Sequence, residues 1–213
     1  SKSTKWRIKT LNEKGLLIKP EFENIEKYLN NGEMTSITER IINVTENING
    51  KTDGIIVRKI LLWMSQNTMR LRNGQRDSRK FRRTADEILL SRERNGCCDS
   101  ATLFTALARS KQIPTMQIIT LKKSWGEKID KGIPTGTEGH YFVACYLKDL
   151  TGKAKWTLID SDRLVTDIID VRLSNLNTED RNINSYYAFA YVNDFRDIDI
   201  NGRKIDSIEN MKI

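Results

Sequence analysis

Histidine is almost absent from this chain: His140 is the only one in 213 residues. Acid–base chemistry that uses an imidazole near neutral pH therefore has one residue to run through. Cysteine is scarce as well. Three cysteines, two of them adjacent at Cys97 and Cys98, are too few for a disulfide scaffold, and neighbours in sequence are poorly placed to bridge each other. No pair has the Cys-x-x-Cys spacing of a zinc site. No stretch approaches the ~20 apolar residues of a membrane span. The apolar run Ile60–Met64 is flanked by Arg58 and Lys59 before it and by Ser65 and Gln66 after it, as in a water-soluble helix. Repeats and low-complexity tracts are lacking. The chain starts at Ser1 rather than Met, which is expected of a trimmed or processed product. A secreted or cell-envelope location after removal of a signal segment is expected ahead of a cytoplasmic one.

Acidic residues are outnumbered 28 to 36 by Lys and Arg, and the resulting charge of +8 is unevenly spread. Arg70, Arg72, Arg76, Arg79, Lys80, Arg82 and Arg83 crowd one stretch, with Asp77 as the acidic counterweight. Such a basic loop at 70–83 is either a solvated connection between helices or a grip for an anionic surface or polymer.

Hydrophobic spacing divides the chain into a helical first half and a strand-rich second half. Glu21–Leu29 reads as helical. A second helix is capped at Thr35 or Ser36, with Glu39 completing a capping box. A third opens at Asp53-Gly54 and carries a broad apolar face through Ile60, Leu61 and Met64. Thr84 with Glu87 caps a fourth, and a fifth starts after Asn95-Gly96 and ends before Pro114. From residue 115 the period changes to two. Strands are expected at 116–121, 141–147, 155–159 and 186–192, with a hairpin turn at 149–153. Residues 122–138 read as a long polar loop with Trp125 as a lid candidate, because long loops in compact domains are usually functional. Helices followed by strands indicate an α+β fold with an antiparallel sheet.

The candidate chemistry sits at element ends. Cys97 begins a helix, where the dipole favours the reactive thiolate and the first backbone N–H groups are unpaired. His140 follows Gly139 where a loop enters a strand, and Asp160 ends the neighbouring strand, with Asp162 as a reserve carboxylate. A thiol, an imidazole and a carboxylate are the components of nucleophilic acyl transfer. Each also has a plainer reading: a buried structural cysteine, a satisfied histidine, a turn aspartate. A further run, Asp197-Ile198-Asp199-Ile200-Asn201-Gly202, begins like a calcium loop, but position 208 is Ile where the final acidic ligand belongs. Asn201-Gly202 reads better as a hairpin turn. No metal or cofactor is expected.

Three blocks in order carry a family resemblance. They are Gly96-Cys97-Cys98-Asp99-Ser100-Ala101 running into Leu103-Phe104-Thr105-Ala106-Leu107-Ala108-Arg109 and Ile113-Pro114; then Gly139-His140-Tyr141-Phe142-Val143; then Trp156 to Asp160. Together they resemble the transglutaminase-like superfamily. Asp99 and Ala101 fall two and four residues after Cys97, which selects Cys97 over Cys98 as the matching cysteine. The sequence departs from the family pattern in lacking a spacer between Gly96 and the first cysteine, which keeps Cys98 open, and in carrying Ser161 where Pro is usual.

The resemblance implies a papain-like fold, in which a catalytic helix packs on an antiparallel sheet. It implies one domain over 1–213, with a core at about 50–195, an N-terminal arm and helices at 1–50, and a C-terminal hairpin or tail at 196–213. Cys97 is then the nucleophile, His140 the general base and acid, and Asp160 the group that orients His140. The substrate is a protein or peptide. Hydrolysis of peptide or amide bonds is expected ahead of glutamine crosslinking or deamidation, because acidic calcium clusters and extra domains are lacking. Trp63 and Gln66 are candidates for a second oxyanion donor. A different class of function, a non-catalytic module gripping an anionic polymer through 70–83, remains the alternative.

Overall fold

A computed structural model describes residues 18–72, 83–133, 139–162, 174–175, 182–183 and 185–197. Most of the arm, residues 73–82 of the basic stretch, and the calcium-like and hairpin run beyond Asp197 lie outside the described residues.

A 3-10 turn at Ile25–Leu29 replaces the longer helix expected from residue 21. Helix α1 covers Glu39–Thr45, and its cap is Thr38, whose hydroxyl accepts the Ile41 N–H. The expected caps are used elsewhere: Thr35 donates to the buried Asp194 carboxylate, and Ser36 donates to the Gly32 carbonyl. Helix α2 is Asp53–Asn67, capped by Thr52. It leads into the two-residue strand β1, Met69–Arg70. Helix α3, Ala85–Ser91, carries the full capping box between Thr84 and Glu87. After β2, Glu93–Arg94, comes helix α4, Cys97–Ser110.

The remaining strands are β3 (Thr115–Lys122), β4 (Gly139–Lys148), β5 (Ala154–Ile159), β6 (Ser174–Asn175), β7 (Asn182–Ile183) and β8 (Tyr186–Val192). They form one sheet in the order β6-β5-β4-β3-β8-β7, antiparallel throughout. Strands β1 and β2 pair in parallel as a separate ribbon. Helices on one side of an antiparallel sheet make the molecule α+β.

Helix α4 is central because it is apolar or small on nearly every face, and it is buried from Cys98 to Arg109. It ends in a Schellman turn. Gln112 takes the left-handed conformation (φ 59°), and the Ile113 N–H reaches the Ala108 carbonyl at 3.1 Å. The period of two sorts the strands onto two faces. Ile119, Leu121, Val143, Cys145 and Ile159 join the core around α4. Met116, Ile118, Phe142, Ala144, Trp156 and Leu158 form a second core with Tyr28 on the opposite face.

The segment read as a loop at 122–138 contains helix α5, Lys123–Asp130. Gly126 in its interior weakens the helical signal by about 1 kcal/mol relative to alanine. Tertiary burial of Trp125, 3% exposed among core residues, accompanies the helix despite that cost. Trp125 is therefore a core residue and not a lid side chain. Residues 134–138 of the same segment lie outside the described residues.

Candidate active site

Cys97 is placed by the turn before it. Gly96 has φ 117°, a conformation that residues with a Cβ rarely adopt. This turn lets helix α4 start at the very next residue. The first helical bond runs from the Ser100 N–H to the Gly96 carbonyl, so the N–H groups of Cys97, Cys98 and Asp99 have no partner within the helix. Asp99, buried in the first turn, accepts the Asn95 N–H at 2.7 Å and pairs with Arg83. Burial raises the Asp99 carboxyl above its ordinary range, and the contacts with Arg83 and Asn95 only partly offset that.

His140 is placed by β4. Gly139 lies so close to β3 that a Cβ would collide with the Thr120 carbonyl oxygen. The Thr120 hydroxyl in turn donates to the His140 carbonyl at 2.9 Å. The ring lies edge-on to Phe142, with centroids 4.6 Å apart, and faces Tyr186 at 5.5 Å. His140 is 7% exposed.

Asp160 is placed by β5. Because Val143 pairs with Ile159, Asp160 falls opposite Phe142 and diagonal to His140 on the same face. The His140 Nε2 and Asp160 Oδ1 are 3.0 Å apart. That oxygen also accepts the Asp162 N–H at 3.2 Å. With Nε2 engaged by Asp160, Nδ1 is left as the ring's other polar atom, and Cys97 is close enough to act on the ring electrostatically. Burial works against a charge on the ring. The hydrogen bonds to Asp160 and Cys97, with the charges of both, outweigh it and raise the His140 pKa to about 9.

His140 is thus hydrogen-bonded to Asp160 and lies within electrostatic reach of Cys97. The two other cysteines lie apart from it. Cys98 is buried in the core around α4. Cys145 is fully buried beside Thr115, and burial pushes its thiol up to about 12. Among the described residues, no cluster of His, Cys, Asp and Glu could hold a metal ion, and no helix is long and apolar enough to cross a membrane.

The reserve carboxylate Asp162 makes no hydrogen bond to the ring. It is 2% exposed and is the hub of an ion cluster. Arg70 donates to it through Nε (3.0 Å to each oxygen) and Nη2 (2.7 Å), and the Ser100 hydroxyl donates at 2.8 Å. Arg94 Nη1 lies 3.8 Å away and also donates to Ser100 at 2.8 Å. Burial acts against the charge of Asp162, but Arg70 and Ser100 prevail and hold its carboxyl below the usual range. The cluster joins β1, β2 and the first turn of α4 to the end of β5, the segments that carry Cys97 and Asp160. The sequence places Arg70 in the basic stretch read as a solvated loop or an anion grip, and does not single out Arg94 or Ser100. The alternation of charged residues at the two short strands is too weak a signal to find them. Trp63 lies under the Arg92 guanidinium, 5.3 Å from its ring centroid, and Gln66 is exposed.

No family model and no curated protein matches the chain. Among solved structures, a protein from Cytophaga hutchinsonii named a "Putative Cysteine Protease" is similar, with a TM-score of 0.53 and 18% sequence identity over 82% of this chain. The likeness covers 48% of that protein, so this chain spans about half its length. At that identity the likeness shows the fold: α+β, papain-like, with a helix packed on an antiparallel sheet.

Proposed function

We propose that this chain is a cysteine-nucleophile acyl-transfer enzyme of the transglutaminase-like superfamily that hydrolyses peptide or amide bonds. The observation that carries this reading is the His140 ring, held at 3.0 Å from Asp160 and within electrostatic reach of Cys97, which together raise its pKa to about 9 against the cost of burial. At neutral pH such a ring is an imidazolium with a proton to give. Cys97 Sγ attacks the carbonyl carbon, and the Cys97 N–H at the helix start donates to the oxyanion that forms. His140 gives its proton to the departing amine as the C–N bond breaks, leaving a thioester. Water then attacks the thioester with the ring as base, which releases the acid and restores the thiolate. Asp160 keeps the ring in the required tautomer and orientation. The named relation of the Cytophaga protein to proteases agrees with this chemistry.

The module reading is weakened by the use made of its cations. Arg70 and Arg83, at the two ends of the basic stretch, are paired with the buried carboxylates of Asp162 and Asp99.

The test is to incubate the purified chain with a peptide mixture and sequence new N-termini, with Cys97→Ala and His140→Ala as controls. New termini are expected from the parent chain, with at least about a hundredfold loss in each variant. Incorporation of a fluorescent primary amine into a glutamine-containing protein, without cleavage, would move the assignment to crosslinking. Salt-dependent polyanion binding with no Cys97-dependent turnover would move it to the module.

A further inference from the structure

The ion cluster behind the site presents a cation to solvent. One carboxylate, Asp162, faces two guanidiniums, and guanidinium does not lose its charge in proteins. Arg94 is 3% exposed, held by the Thr68 hydroxyl at 2.7 Å as well as by Ser100. Arg70 is different. Its side chain is 43% exposed, so its guanidinium reaches solvent.

Arg70 is also held for a purpose that Asp162 alone does not use up. Asp162 takes the Nε and Nη2 edge in a fork, which fixes the guanidinium plane. Nη1 has no hydrogen-bond partner among the described residues. The anchor belongs to the site. The Asp162 N–H bonds Asp160, which bonds His140, so Arg70 stands a short hydrogen-bonded path from the ring. Arg70 lies across the β1–β2 pairing from Arg94, which stands three residues before Cys97, and Arg70 is within electrostatic reach of both Cys97 and Asp160.

We propose that Arg70 is an anion-docking residue at the mouth of the Cys97 site and that it recognises a carboxylate on the substrate next to the bond that is cleaved. The inference rests on Cys97 being the reactive thiol. It narrows the substrate class to peptides or amides bearing an acidic group beside the scissile carbonyl. A rigid guanidinium with one free edge suits a carboxylate, which it binds by a charge-assisted hydrogen bond.

Two alkylating agents that differ only in charge test this without knowledge of the substrate. Iodoacetate and iodoacetamide each lose iodide as the Cys97 sulfur forms a C–S bond to the same carbon. The first carries a carboxylate, and the second carries a neutral amide. The rate ratio of acetate to amide at Cys97, divided by the same ratio for free cysteine, reads docking of the carboxylate and cancels thiolate content. That ratio is expected to exceed one by about fivefold or more at low salt and to fall as ionic strength rises. Arg70→Gln should return it to about one, and Arg70→Lys should keep most of it. An unchanged ratio in Arg70→Gln overturns the inference and leaves the cysteine reading intact. So does a parent ratio near one at every salt concentration, a readout that stands even if the variant fails to fold. If neither reagent prefers Cys97 over Cys98 and Cys145, the cysteine reading itself falls and takes this inference with it.

Discussion

At the scale of single residues, the site is governed by what surrounds one imidazole. His140 lies among Phe142, Tyr186 and backbone, an apolar setting that on its own would drive the proton off. Asp160 reverses that outcome. With the ring's pKa near 9 against an ordinary 6.5, the charged ring contributes stability that is fully present below about pH 6.5 and is lost as pH rises through about 9. The same proton limits the chemistry on the alkaline side. Asp160→Asn removes the charge that supports it, so the alkaline limb of turnover should move down by about one to two pH units. Turnover should fall by about a hundredfold or more through loss of the ring's orientation. Both are read from pH–rate profiles of the variant and its parent. An alkaline limb that stays near pH 9 would show that Asp160 does not set the ring's protonation.

At the scale of elements, local signals were legible where a cap or a period stood alone. The Thr84–Glu87 box, the helix starting at Cys97 and the strands at 115–122, 139–148, 154–159 and 186–192 all follow from residues that need no distant partner. In the site, the element ends carrying Cys97, His140 and Asp160 could be read from the chain, but their separation could not, since it depends on the β4–β5 register. The cap of α1 and the helix α5 were not legible. Thr35 was diverted to Asp194, 159 residues away, and α5 is tied at its start by the Lys123 N–H to the Ser185 carbonyl and buries Trp125. Trp125 tests that account. Its indole N–H is buried without a hydrogen-bond partner among the described residues, so the ring matters for volume and not for polarity. Trp125→Ala should cost about 3–5 kcal/mol by denaturant unfolding. Trp125→Phe should cost much less, because it removes an unsatisfied donor. A change in substrate affinity at unchanged stability would instead restore a lid role.

At the scale of the whole molecule, the helical half and the sheet are joined by a buried charge. Arg109 leaves the last turn of α4 with no exposed surface. Its Nη1 donates to the Asn30 carbonyl at 2.9 Å and the Thr35 hydroxyl at 3.0 Å, and its Nη2 donates to the carbonyls of Thr115 and Asn193 at 2.6 Å each. Four separate segments therefore converge on one guanidinium. Asp194, also buried, accepts the N–H groups of Met34 and Thr35 and the Thr35 hydroxyl nearby. Burial lowers the Arg109 pKa to about 10, so it remains charged at neutral pH. Its sequence setting, an arginine near the end of an apolar helix, does not reveal this role, because each acceptor is a backbone or hydroxyl oxygen that any residue pattern supplies. Arg109→Met keeps the length and the apolar stem but strands three carbonyls and leaves Asp194 without its cation. It should lower stability by about 3–5 kcal/mol in chemical unfolding. Arg109→Lys should rescue little, since one ammonium cannot span four acceptors held by two forked nitrogens. A lysine variant as stable as the parent would mean that charge alone, and not the fork, holds α4 to the chain segments around it.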